Sequence, residues 1–183
     1  MRLFIGLDVP YEMRRNLELL LQLLKPKADI QWSSLANLHL TTKFIGEWPE
    51  ERLDELKEAL AAVPRPGQMQ IAIRGLGWFP DARHPRVFWA GIQAPDTLAE
   101  LARATEARCE GLGIAAEGRD YNPHLTLARV RRPTDLTMLQ KAISELPSTD
   151  FGVFTSTAFH LYQSKLSPGG SVYTKLANYS LTS

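Results

Sequence analysis

Cysteine is nearly absent: Cys109 stands alone among 183 residues. A single thiol excludes an intrachain disulfide and a cysteine-ligated metal site. It falls in the helical run "PDTLAELARATEARCEGLG", where a buried thiol is expected rather than a nucleophile. Long apolar runs are missing as well. None approaches the ~18 residues of a membrane span, and "MRLFIGLDVP" carries no cleavage-site pattern. Neither a spanning helix nor a signal peptide is expected, and the expected location is cytoplasmic. An excess of one charge is also lacking, since the net charge is +1. No global field marks a nucleic-acid binder, so any basic surface must be local. The chain has no Gly-x-x-x-x-Gly-Lys phosphate loop, no Lys-x-Asp-Gly adenylation site and no His-Glu-x-x-His zinc motif. ATP-dependent joining and that class of metal hydrolysis therefore have no sequence support.

What remains is an ordinary globular composition, 44% hydrophobic and 22% charged, long enough for one core or two small lobes sharing one. Four segments read as helices, each opened by a proline suited to a first turn: near Pro10, Pro49, Pro95 and Pro133. Leu17, Leu20, Leu21 and Leu24 recur at helical spacing, as do Leu53, Leu56 and Leu60, and Pro26 and Pro64 stop these two helices. The runs between read as strands: "RLFIGLD", "NLHLTTKFIG", "MQIAIRGLGWF", "RVFWAGI", "PHLTLARV", "FGVFTSTAFHLYQS" and "VYTKLANYSL". A helix and then two pairable strands follow each His-Leu-Thr strand, which argues for α+β over a doubly wound sheet. The expected unit is a single two-lobed domain over residues 1–183, with similar half-units at about 37–92 and 122–181.

Chemistry concentrates in two strands. "NLHLTTKFIGEW" and "NPHLTLARV" both read Asn, any residue, His, Leu, Thr, with His124 lying 85 residues beyond His39. Strand alternation puts His39, Thr41 and Lys43 on one face, and Leu38, Leu40 and Phe44 on the other. It likewise separates His124 and Thr126 from Leu125 and Leu127. If the lobes are related by a pseudo-twofold, both His–Thr pairs meet across one groove. Two histidines there suit proton transfer near neutral pH, one taking a proton from a nucleophile and one giving a proton to a leaving group. Threonine hydroxyls suit the non-bridging oxygens of a phosphodiester. Lys43 beside the first motif and Arg129, Arg131 and Arg132 after the second add positive charge for phosphate. A zinc reading of the histidines lacks a third ligand. His84 falls in a turn and is expected in solvent; His160 lies in a strand and is expected to be structural.

Paired "HLTT" and "HLTL" resemble the 2H phosphoesterase superfamily. More closely, "NLHLTTKFIGEW", "GLGWFP", "NPHLTLARV" and "LYQSKLSPGGSVYTKL" are similar to the bacterial RNA 2′,3′-cyclic phosphodiesterase / 2′-5′ RNA ligase family, over nearly the whole chain. The resemblance implies a bilobal α+β fold: two pseudo-twofold-related lobes of antiparallel sheet, with outer helices, around a central groove. It implies hydrolysis of an RNA 2′,3′-cyclic phosphate to a 2′-phosphate with no metal or nucleotide cofactor. His39 would be the proton donor, His124 the acceptor that activates water, and Thr41 and Thr126 would hold the phosphate. Some members also join tRNA halves through a 2′-5′ linkage, the reverse reaction. The implied partner is RNA with a cyclic phosphate end, tRNA fragments included, handled by a monomer without a membrane. The alternatives are ATP-independent ligation and a non-catalytic RNA-end or nucleotide-binding module on the same fold.

The family's arginine after the second motif maps onto Arg129. On an ideal strand it would face away from His124, so either the strand ends or bulges there, or Arg131 or Arg132 takes the role. Trp32, Phe44, Trp78, Phe79 and Tyr121 are the aromatic candidates for stacking on a base. Phe44 has the wrong parity for the groove on an untwisted strand. Arg83 and Arg86, in "DARHPR", suggest a basic loop at a groove mouth or simply a solvated one.

Overall fold

The computed structural model describes residues 1–183 as nine strands and four α-helices. In chain order these are β1 (Arg2–Asp8), α1 (Tyr11–Leu24), β2 (Gln31–Trp32), β3 (His39–Glu47), α2 (Leu53–Ala61), β4 (Met69–Phe79), β5 (Val87–Gln93), α3 (Asp96–Glu110), β6 (His124–Arg129), α4 (Thr137–Ser144), β7 (Asp150–Ser156), β8 (Ala158–Ser167) and β9 (Gly170–Ser180). Pro10 and Pro95 stand just before α1 and α3 in extended backbone, which spares each helix a proline inside its ladder. Pro49 opens a 3₁₀ turn that leads into α2. The fourth helix begins later than its proline suggests. Asp135 accepts the Thr137 N–H at 3.0 Å, and this carboxylate, beyond Pro133, starts the coil. No helix is long and apolar enough to cross a membrane.

The strands form two antiparallel sheets, ordered β3-β1-β8-β9 and β2-β6-β5-β4-β7. Each motif strand therefore lies in its own sheet, with β1 beside β3 and β5 beside β6. The sheets do not follow the half-units 37–92 and 122–181, because β4 and β5 join β6 while β8 and β9 join β1 and β3. The run "FGVFTSTAFHLYQS", read as one strand, breaks at Thr157: β7 completes the second sheet and β8 enters the first. Helices α2 and α3 pack on the first sheet, against β9 and β3, and α1 packs on β7 of the second with α4 beside it. A contiguous core joins both lobes, from Leu3, Ile5, Leu7 and Leu40 through Phe88, Leu125 and Leu127. The α+β bilobal architecture inferred from sequence is thus the observed one.

The alternation that defines each motif strand is visible in burial. Leu40, Leu125 and Leu127 are fully buried, while the intervening His39, Thr41, His124 and Thr126 are half-exposed. Truncating a leucine of this kind to alanine typically costs ~2–5 kcal/mol, so the same residues that orient the histidines also hold the strands to their helices. Gly6 lies opposite Thr41, and a β-carbon there would approach the Leu40 carbonyl oxygen to 2.6 Å. Only glycine lets β1 and β3 close at this point.

Candidate active site

The two motif strands approach each other, and two hydrogen bonds join them to the opposite lobe. Tyr121, just before β6, donates its hydroxyl to the Thr41 carbonyl at 2.9 Å. Ser33, directly after β2 and six residues ahead of His39, donates its hydroxyl to the Thr126 carbonyl at 2.9 Å. The segment ahead of each motif thus touches the other motif strand two residues past its histidine, a reciprocal contact that fits two similar lobes. These two bonds tie the Thr41 and Thr126 backbones to the opposite lobe and bring the two His-Leu-Thr strands into contact.

The imidazoles are set by a common device. His39 Nδ1 lies 2.7 Å from the Asn37 carbonyl and His124 Nδ1 lies 2.9 Å from the Asn122 carbonyl. A carbonyl only accepts, so both rings carry a proton on Nδ1, and Nε2 is left as the nitrogen that gains or loses one. The asparagine at each motif's first position is thus an orienting backbone, two residues ahead of the ring. Asn37 is itself held by its side-chain amide, which donates to the Ser171 carbonyl on β9 at 2.8 Å.

The two environments differ. His39 stacks on Phe4 with ring centroids 4.4 Å apart, and Tyr173 meets it edge-on at 5.1 Å. Its Nε2 lies 2.7 Å from the Thr41 hydroxyl. Burial among these rings pushes the His39 pKa below its ordinary value, while the Asn37 carbonyl and the Asp8 carboxylate oppose that shift. His124 is more open and meets only the Phe79 edge, at 5.0 Å. Beyond His39, a polar cluster continues across the first sheet. Lys175 pairs with Asp8 at 2.5 Å, and Tyr162 donates to Asp8 at 3.3 Å. Burial raises the Asp8 pKa, but the Lys175 bond and charge outweigh it and hold the carboxyl below its usual range. His160, expected to be structural, holds the Asn178 side-chain oxygen at 2.7 Å, and burial lowers its pKa.

Two bulges decide which further residues reach the groove. The β1–β3 register slips after Thr41, so Gly6 faces Thr41 but Ile5 faces Lys43. The β5–β6 register slips at the equivalent point, with Trp89 opposite Thr126 and Phe88 opposite Ala128. Each bulge inserts one residue, Thr42 or Leu127, and reverses parity beyond it. Arg129 is thereby carried onto the groove side and is exposed, which resolves the conflict with ideal alternation. Phe44 is its pseudo-symmetric counterpart and is likewise exposed, at 45%.

The same bulge corrects the reading of Lys43. It is not a groove cation: it is buried on the helix side, 3.0 Å from Glu106 and 2.7 Å from the Ala115 carbonyl. Tyr121 is also reassigned, from a base-stacking candidate to a tie between the motif strands, with its phenol pKa pushed far up by burial. Trp32 and Trp78 pack on the buried Phe88 ring, whereas Phe79 lines the groove beside His124. Arg131 donates to the Gln31 side chain at 2.8 Å, and Arg132 lies 3.5 Å from Asp29. Cys109 is fully buried and its thiol is pushed up to about 11 by burial, an inert group as expected. His84 is exposed in the β4–β5 loop.

Sequence reasoning missed Phe4, Tyr162, Tyr173, Trp89, Asp8 and Lys175. The alternation of β1 places Phe4 and Asp8 on one face and held that signal for two of them. The others depend on strand pairings distant in sequence. Nowhere do three or more His, Cys, Asp or Glu side chains converge as a metal site would need.

Comparison with known proteins agrees with this duplicated arrangement. The family model described as "LigT like Phosphoesterase" matches residues 7–89 and again 91–173. The RNA 2′,3′-cyclic phosphodiesterase of Methanothermobacter thermautotrophicus is 32% identical, over 98% of both chains. The protein of the same name from Thermus thermophilus is 34% identical, over 99% of this chain and 90% of its own. The crystal structure of Escherichia coli LigT complexed with 3′-AMP superposes with a TM-score of 0.80 at 26% identity, covering 100% of this chain and 98% of that one.

Proposed function

The chain belongs to the LigT-like phosphoesterase family, and on that premise we propose that it opens 2′,3′-cyclic phosphate ends of RNA to 2′-phosphates, with His39 and His124 as an acid–base pair. One observation supports the reading: two imidazoles at matching positions of the two motifs, each with Nδ1–H held by an asparagine carbonyl, so that Nε2 is the proton-transfer nitrogen of each, in contact with the Thr41 hydroxyl in His39. The relatives' name supplies the substrate.

In the reaction, water attacks phosphorus and gives a proton to Nε2 of neutral His124. The P–O3′ bond breaks, and the departing 3′ oxygen takes the proton from Nε2 of charged His39. A 2′-phosphomonoester and a free 3′-hydroxyl result, and the two histidines end with their protonation exchanged. Thr41 and Thr126 donate to the non-bridging oxygens. The 2.7 Å Thr41–His39 contact gives Thr41 a second part to play. Its hydroxyl lies beside the nitrogen that gives up the proton, so one residue both orients the acid and reaches the phosphate. The phosphodiester's negative charge offsets the burial that depresses His39, so the ring is charged where the anion is bound. Arg129 clamps the phosphate with its guanidinium, a role supported by the β5–β6 bulge that reverses strand parity ahead of it. The substrate is RNA, tRNA fragments included, taken by a monomer in the cytoplasm.

The test is incubation of RNA ending in a 2′,3′-cyclic phosphate with the protein in EDTA, followed by identification of the new end. A 2′-phosphate is expected, and His39→Ala and His124→Ala should each lower kcat by about 10²–10⁴ with unchanged circular dichroism. Undiminished turnover in either variant overturns the acid–base pair. A 3′-phosphate product overturns the leaving-group assignment, and abolition by EDTA overturns metal independence.

A further inference from the structure

The ends of the groove are electrically unlike. Beyond Thr126 the motif face continues past its bulge to Arg129, and beyond Thr41 to Phe44. At the Arg129 end, five exposed arginines gather: Arg83, Arg86, Arg129, Arg131 and Arg132. Backbone pairing makes them neighbours. Gln31 and Val87 flank Arg129 in adjoining strands, and the Val130 N–H donates to the Arg86 carbonyl at 2.8 Å. The β4–β5 loop that carries Arg83 and Arg86 is held by Asp81, whose Oδ1 accepts the Arg83 and His84 N–H groups at 2.8 and 2.9 Å. Arg132 alone of the five has an ion-pair partner, Asp29 at 3.5 Å. Arg131 spends only its Nε–H, on neutral Gln31. Beside them opens a shallow pocket of about 240 Å³, lined by Asp29, Ile30, Gln31, Arg131, Arg132 and Thr134.

The Phe44 end offers no such field. Lys43 is buried against Glu106 there, and Arg2 lies 5.3 Å over the Phe44 ring. The exposed charges around it are mixed: Arg2 and Arg119 against Glu47, Glu117 and Asp120.

We infer that the RNA chain leaves the two-histidine site in one direction, with its 5′-ward phosphates laid over the arginine rim of Arg83, Arg86, Arg131 and Arg132. This rests on the phosphodiesterase reading and extends it from the reacting end to the polymer behind it. A cyclic phosphate is the 3′ terminus, so every other phosphate of the substrate must exit the groove on one side. A polyanion follows the side where unpaired guanidinium groups lower its energy and release its counterions. A free cyclic mononucleotide has no further phosphate and stops short of the rim. The rim thus makes the protein favour RNA ends over small cyclic nucleotides, a preference that +1 of net charge conceals.

The experiment compares a 2′,3′-cyclic mononucleotide with a cyclic-phosphate-ended decanucleotide, in the wild type and in the Arg83→Ala/Arg86→Ala double variant. Wild-type kcat/KM should be at least tenfold higher on the decanucleotide. It should fall with salt at a log–log slope steeper by roughly 0.7 for each rim phosphate engaged. The double variant should lose about tenfold on the decanucleotide, chiefly in KM, and flatten the salt slope by about 1. Its turnover of the mononucleotide should stay within about twofold of wild type, which also shows that the variant is folded. Equal kcat/KM on the two substrates, or an undiminished decanucleotide rate in the variant, overturns the rim. Equal losses on both substrates also overturn it, by making the loop part of the reacting site. No turnover of either substrate by the wild type refutes the phosphodiesterase reading itself, and the rim with it.

Discussion

Lys43→Met separates the structural role of this lysine from the phosphate-binding role its sequence position suggests. The ammonium lies 3.0 Å from Glu106 and 2.7 Å from the Ala115 carbonyl, with its side chain 1% exposed against 21% for Glu106. Removing one partner of a buried pair typically costs ~3–5 kcal/mol, because the other charge is left without compensation. Here Glu106 keeps some water and the Glu117 N–H at 2.6 Å, so its charge is not abandoned. Methionine fills most of the lysine's volume, which limits any cavity. The expected loss is therefore about 2–3 kcal/mol, including about 1 for the orphaned Ala115 carbonyl. At ~2–4 °C per kcal/mol for a chain of this size, melting should fall by roughly 5–10 °C. Urea titration followed by circular dichroism measures the loss. The same measurement on Glu106→Gln and on the double variant isolates the coupling between the two side chains. In the folded variant at low temperature, kcat/KM on a cyclic phosphate end should stay within about twofold of wild type. A stable Lys43→Met protein with a tenfold or larger loss of kcat/KM would refute the burial argument and return Lys43 to the groove.

Other consequences are equally direct. Gly77→Ala should destabilise and slow the enzyme together, because the new β-carbon would lie 2.1 Å from the Trp89 ring, and Trp89 pairs with Thr126 across the strands. Wild-type melting and kcat in that variant would contradict this packing. Asp8→Asn should lower the His39 pKa further, since the carboxylate's charge is one of the influences that raise it. Titration of the imidazole signals by NMR reads the shift, and an unchanged or higher value would sink the assignment. Burial depresses both His39 and His160 in the fold, whereas unfolded imidazoles titrate near ~6.5. The unfolded chain therefore binds protons first as pH falls below about 6.5, so this contribution to stability is flat above that pH and declines beneath it. A paired His39→Gln/His160→Gln variant should show a shallower decline in urea titrations from neutral to mildly acid pH. Tyr121→Phe should cost about 1 kcal/mol by loss of its bond to the Thr41 carbonyl. No loss in urea titration would mean that this tie between the motif strands carries no net stability.

Local chemistry made half of the site readable in the sequence itself. His39 and Thr41, and again His124 and Thr126, stand two apart between leucines, and period-two alternation with a buried leucine face leaves the polar pair one way to point. Prolines before helices, and the recurrence of one pattern 85 residues on, were enough for four helices and a duplicated α+β fold, and they motivate the proposed two-histidine pair. Tertiary structure decided the rest, because it turns on pairings between distant residues. The bulges at Thr42 and Leu127 have no local mark, yet they bury Lys43 and bring Arg129 and Phe44 to the groove. The break at Thr157, which sends β7 and β8 to different sheets, sits in an unbroken β-forming run. The aromatic wall of His39 comes from Phe4, Tyr162 and Tyr173 on three other strands, and that wall depresses its pKa. Side-chain alternation is a property of one strand and can be read along it. Register, burial and charge balance belong to pairs of strands, and those exist only once the chain has folded.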